Sequence, residues 1–103
     1  MRLLKLSIRE IETNKEYSIE LNYDIVKRYI LELFKVTHTD ISEIPHIDEH
    51  EILSGDDLDK FLMQLGFYSR MKDISPVIKA IYEKFPEREG KIYDLKLKMV
   101  RWD

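Results

Sequence analysis

The chain contains no cysteine. That excludes disulfide staples, cysteine-based zinc sites and thiol catalysis. Glycine is scarce, and Gly55, Gly66 and Gly90 stand alone. A loop that cradles phosphate needs clustered glycines so that backbone N–H groups can approach the ligand. The nucleophile elbow Gly-x-Ser-x-Gly is missing, and so is the His-Glu-x-x-His pattern of zinc proteases. With only three prolines, the elements must be read mainly from hydrophobic periodicity. No apolar run approaches the ~20 residues that span a bilayer, so no membrane partner is expected. The opening Met1-Arg2-Leu3-Leu4-Lys5-Leu6 puts charges inside what would be a signal peptide's apolar region, which predicts a cytoplasmic location.

What is present suits one small domain over 1–103. The 103 residues are 44% hydrophobic and 36% charged, enough apolar material to offset chain entropy and build a modest core. The 17 basic and 20 acidic residues give a net charge of -3, which argues against a general polyanion binder.

Residues 3–11 alternate, with Leu4, Leu6 and Ile8 against Lys5, Ser7 and Arg9. Residues 16–21 alternate as well, with Tyr17, Ile19 and Leu21 against Glu16, Ser18 and Glu20. The polar turn Glu12-Thr13-Asn14-Lys15 joins them, so the pattern predicts a β-hairpin. Over 24–36 the period changes. Val26, Tyr29, Ile30, Leu33 and Phe34 recur at helical spacing behind a cap at Asn22 or Asp24. A second helix is predicted over 54–65, with Ser54 and Asp57 as a variant capping box and Gly66 as its stop. Ser75-Pro76 is read as the start of a third helix that Pro86 ends. Residues 91–102 alternate again and predict a third strand, on which Trp102 falls on the polar side.

The expected fold is thus α+β: a three-stranded antiparallel sheet in β-β-α-α-α-β order, with three helices on one face. Cross-strand charge pairing would put the second strand in the middle. The first strand is the most apolar and is preferred as the central one.

One segment is electrically distinct. No Lys or Arg occurs from Val36 to Asp59, and 40–59 holds eight acids: Asp40, Glu43, Asp48, Glu49, Glu51, Asp56, Asp57 and Asp59. The rest of the chain carries 12 acids and 17 bases. Asp56 and Asp57 have a local role at the positive end of the second helix. The remainder reads either as a solvated acidic loop or as an acidic surface that docks on a basic partner. Basic surfaces belong above all to proteins that hold nucleic acid.

Three weaker patterns accompany it. His46 and His50 are four apart, and on a helix they would face one side as a zinc or nickel pair, with His38, Asp48 or Glu49 completing the set. The same imidazoles have the right chemistry for general acid–base work, but nothing in the sequence supplies a substrate pocket. Tyr68, Arg70 and Met71 concentrate residue types enriched at interfaces, whereas Phe67 is expected to fold back onto its own helix. Lys5, Arg9, Lys96, Lys98 and Arg101 beside Trp102 suggest a face for single-stranded nucleic acid. Glu16 and Glu20 on that face would repel it, and the charge balance argues against direct nucleic-acid binding.

In general composition the chain is similar to small proteins encoded by phages and other mobile elements: short, cysteine-free, rich in Lys, Glu, Ile and Tyr, and without catalytic signatures. Some of those are inhibitors, including anti-CRISPR and anti-restriction proteins. The likeness implies a non-catalytic inhibitor or regulator of a larger protein, and the charge asymmetry makes the acidic 40–59 segment its expected docking surface. No cofactor is expected. The free edges of a short sheet leave a homodimer open.

Overall fold

A computed structural model describes residues 1–37 and 41–103, with side chains described outside 34–41. The alternating segments form β1 (Arg2–Glu10), β2 (Glu16–Asn22) and, at the far end of the chain, β4 (Ile92–Trp102). Asn14 takes the left-handed backbone (φ 62°) that the β1–β2 turn requires, as expected of Asn in such a turn. Asn22 caps α1 (Tyr23–Thr37) by accepting the Asp24 N–H at 2.8 Å. Ser54 caps α2 (Gly55–Tyr68) by accepting the Asp57 N–H at 3.1 Å. The third helix, α3, spans Met71–Lys84.

Among the described residues the fold is α+β with three α-helices, and its sheet has four strands rather than three. A short 3-10 turn over Ile41–His46 leads into β3 (Asp48–Ser54), an antiparallel partner of β4. The order is β2-β1-β4-β3, so the apolar β1 is internal and β3 is an edge. Alternation failed to announce β3 because carboxylates sit on both of its faces: Glu49 and Glu51 on one, Asp48 on the other. It is held from outside its own sequence. Ile44 and Ile47 are buried beside it, and the Met99 N–H donates to the Ile47 carbonyl at 2.9 Å.

Two helix boundaries also differ from the sequence reading. α2 runs past Gly66 to Tyr68, and the Ser69 N–H closes it onto Leu65. Gly66 is there for packing, because a Cβ on it would stand 3.1 Å from Ile78 Cδ1 on α3. α3 begins five residues before Pro76, because Ile74 belongs to its buried stripe with Val77 and Ile81. The Asp73 and Ile74 N–H groups both donate to the Arg70 carbonyl and fix the first turn. Pro76 and Lys72 are both exposed, so the carbonyl that Pro76 leaves unbonded can take water.

The helices cover one sheet face, where Leu4, Leu6, Ile8, Tyr93, Leu95 and Leu97 are buried. At one end of this core Tyr93 OH donates to Glu10 Oε2 at 3.3 Å, and Thr13 Oγ1 donates to Glu10 Oε1 at 2.8 Å. The buried carboxylate of Glu10 thus has two donors. Burial first, and the Glu10 charge second, push the Tyr93 hydroxyl up to about 12, so it remains a donor at neutral pH. Among the described residues no helix covers the other sheet face. No helix among the described residues is long and apolar enough to cross a membrane.

At the junction of β3 and α2 two backbone segments approach closely. Gly55 donates its N–H to the Lys91 carbonyl at 3.0 Å, and a Cβ there would lie 1.9 Å from the Arg88 carbonyl oxygen. Arg88 in turn donates to Asp59 Oδ1 at 2.5 Å and to the Phe85 carbonyl at 2.8 Å, and stacks on Tyr82. Nothing at this contact is the far end of a flexible side chain. Gly55→Ala is therefore expected to cost about 2–3 kcal/mol of stability, the upper part of the usual overpacking range. Equilibrium urea unfolding would measure it.

Candidate functional site

Three surfaces could carry function: the bare sheet face, the acidic edge, and the solvent side of the α2–α3 pair. On the bare face the registers place side chains in rows. Glu16, Arg9, Asp94 and Ile52 form one row, Ser18, Ser7, Lys96 and His50 the next, and Glu20, Lys5, Lys98 and Asp48 the third. Arg9 thus lies between Glu16 and Asp94, while Lys5 and Lys98 face each other with Glu20 and Asp48 on their outer sides, and Lys96 has no acid in its row, so acids flank the central lysines on both sides. The aromatic is missing from this face. A bulge between Leu3/Leu4 of β1 and β4 inserts one extra residue before Arg101. It turns Arg101 outward, opposite Leu3, and sends Trp102 to the helix side. There Trp102 packs edge-on against Tyr23 at 5.2 Å under the Arg2 guanidinium. The expected pairing of Trp102 with the basic face is overturned by this single bulge.

His50 belongs to the same face. It lies on β3, not on a helix, and its Nε2 meets Asp94 Oδ1. His46 ends the 3-10 turn, so the expected helical pair of imidazoles does not form. His38 lies outside the described residues. Among the described residues no three His, Asp or Glu converge as metal ligands. Asp94 also accepts from Arg9 Nη2 at 3.0 Å and is buried although it points to the bare face. Burial raises its pKa, and the hydrogen bonds from Arg9 and His50 more than offset that, so it stays below the ordinary carboxylate value.

The acidic segment becomes the β3 edge and what flanks it. Asp40 lies outside the described residues. Glu43 is exposed on the 3-10 turn, Asp48 stands opposite Lys98 on the bare face, and Asp56 and Asp57 open α2. Asp59, further along α2, is ion-paired with Arg88 and remains partly exposed. Glu49 and Glu51 lie on the helix side of the edge strand. They form the lip of a recess of about 70 Å³ walled by Tyr29, Leu33, Phe61, Leu95 and Leu97. Burial, and then the Glu51 charge, raises the pKa of Tyr29.

The third surface was largely missed from sequence. An open groove of about 850 Å³ runs between α2 and α3, lined by Met63, Gly66, Phe67, Met71, Ile78 and Tyr82 among others. Phe67 does not fold back onto its helix. It is 71% exposed, beside Met63 at 72% and Met71 at 58%. Of the interface residues expected nearby, Met71 joins the groove, Arg70 is exposed but bound to Asp73, and Tyr68 is half-buried beneath Arg28. A signal was available: Met63 and Phe67, four apart, form a second apolar line on a helix whose inward stripe is already filled.

The Asp94 cluster yields a pH prediction. Its pKa is lowered by folding, so its stabilisation is full above the unfolded carboxylate value of ~4. It is lost as pH falls from there towards the folded value. Asp94→Asn is expected to lower the urea midpoint at pH 7 and to flatten its decline between about pH 5 and pH 2. Urea melts of both proteins across that range would show it. Against known proteins the result is uniform: no family model, no curated protein and no solved structure matches this chain.

Proposed function

We propose that the protein is a non-catalytic interaction module that binds and regulates, or inhibits, a larger protein with a basic surface. The observation that carries this reading is the placement of the Lys- and Arg-free segment. Its part from Asp48 to Ser54 folds as an edge strand, so Asp48, Glu49 and Glu51 line one border of the sheet, continued by Asp56 and Asp57 at the start of α2. An acidic border of this kind speeds encounter with a basic surface and aligns the two proteins. The recess behind Glu49 and Glu51 adds a finer fit. Its apolar walls suit the aliphatic stem of a lysine, and the carboxylates at its lip suit the ammonium. The likeness in composition to phage and mobile-element inhibitors supports a regulator rather than an enzyme.

The reading predicts a specific loss. A triple variant, Asp48→Asn with Glu49→Gln and Glu51→Gln, is expected to lose a dominant protein that the wild type captures from nuclease-treated native host lysate. With that protein purified, the variant should associate about 10-fold more slowly at low salt and show a flatter salt dependence. Capture and association rates unchanged by the three substitutions would overturn the reading.

A further inference from the structure

We infer that the α2–α3 groove is a self-association surface, and that its occupant is the same groove of a second copy of this chain. Met63, Phe67 and Met71 project from it, between Ile78 and Tyr82 on α3 and the end of α2. An apolar surface this prominent on a small protein marks an interface. Three observations select a second copy as its partner.

The rim charges match themselves. Among the lining residues only Lys79 and Glu83 are charged, and they sit one turn apart on α3. Neither is held in an ion pair within the chain among the described residues. A two-fold axis over the groove runs the two α3 helices antiparallel and sets Lys79 of each copy against Glu83 of the other. Such an isologous contact satisfies both charges twice with no other molecule. A strongly acidic or basic partner would leave one of them unmatched.

The area sets the strength. Each helix has 14 residues and is therefore ~21 Å long, and two side by side are ~20 Å wide. That footprint of ~400 Å² is about half the ~800 Å² per partner of a standard stable interface, which corresponds to a weak, concentration-dependent dimer.

The other route to a dimer is closed by charge. Both sheet edges are acidic: β2 presents Glu16 and Glu20, and β3 presents Asp48, Glu49 and Glu51. Pairing any two edges between copies would oppose like charges. The groove is the surface where two copies meet without that repulsion.

Sedimentation equilibrium of the full chain from about 1 µM to about 1 mM tests the inference. The expected result is a concentration-dependent rise from 12.5 kDa to twice that mass. Phe67→Glu, at an exposed position that should leave the fold and its circular dichroism unchanged, is expected to remain monomeric throughout. Lys79→Glu and Glu83→Lys should each weaken the dimer by about 5-fold or more, and the double variant should recover it. The triple variant of the acidic edge should dimerise as the wild type does, which separates this surface from the one proposed above. A wild type that stays monomeric up to 1 mM, a dimer that persists in Phe67→Glu, or a double variant no better than its parents would each overturn it.

Discussion

The apolar face of β1 has to be kept from water, and the rest of the molecule is arranged around that requirement. Leu4, Leu6 and Ile8 are almost wholly buried, and each contributes about 2 kcal/mol through burial alone. All three helices gather on that side. The opposite face therefore receives no cover and must be stable in water by its own chemistry. Cross-strand rows of opposite charge meet this need, and Arg9, Asp94 and His50 tie β1, β4 and β3 together across it. On the bare face the central lysines Lys5 and Lys98 are flanked by Glu20 and Asp48, and Arg9 by Glu16 and Asp94.

The edges follow from the same logic. A four-stranded sheet with one wet face has two unpaired borders, and each border is a template for unwanted strand addition. Carboxylates on β2 and β3 oppose that between copies. On β3 two of them, Glu49 and Glu51, are turned to the helix side, where an apolar residue would be expected. That choice weakens the strand as a core element. In return it leaves a charged border and a recess, which is why the border reads as a docking feature as well as a guard.

Much of the architecture was legible from residue order, and the reasons are local. The hairpin, α1, the Ser54 cap and β4 each have a clean period and a buried face, so the pattern and the packing agree. β3 was illegible because Asp48–Ser54 has no apolar face; its strand state depends on β4, some forty residues further on. The face of Trp102 was misjudged for a similar reason, since one bulged residue in a pairing with β1 reverses everything beyond it. Ser75-Pro76 looked like a helix start, but the burial of Ile74 carries α3 further back. Among the site residues, the acidic segment was visible as composition, whereas its arrangement along an edge needed the topology. The groove was hidden because Met63 and Phe67 were overshadowed by the inward stripe of the same helix.

The two inner strands, β1 and β4, lie at opposite ends of the chain, with about ninety residues between paired positions such as Leu6 and Leu97. On a ribosome the hairpin and α1 emerge well before β4, and one long side of β1 then waits without a neighbour. The sheet gains its middle only when the last strand has cleared the exit tunnel. Until then an apolar strand with a vacant border is exposed to other nascent chains and to chaperones. Pairing strands so far apart in sequence raises the contact order, a topology that folds more slowly than one built from local contacts. The order of synthesis and the order of the sheet are thus opposed, and the eleven residues of β4 act as the keystone.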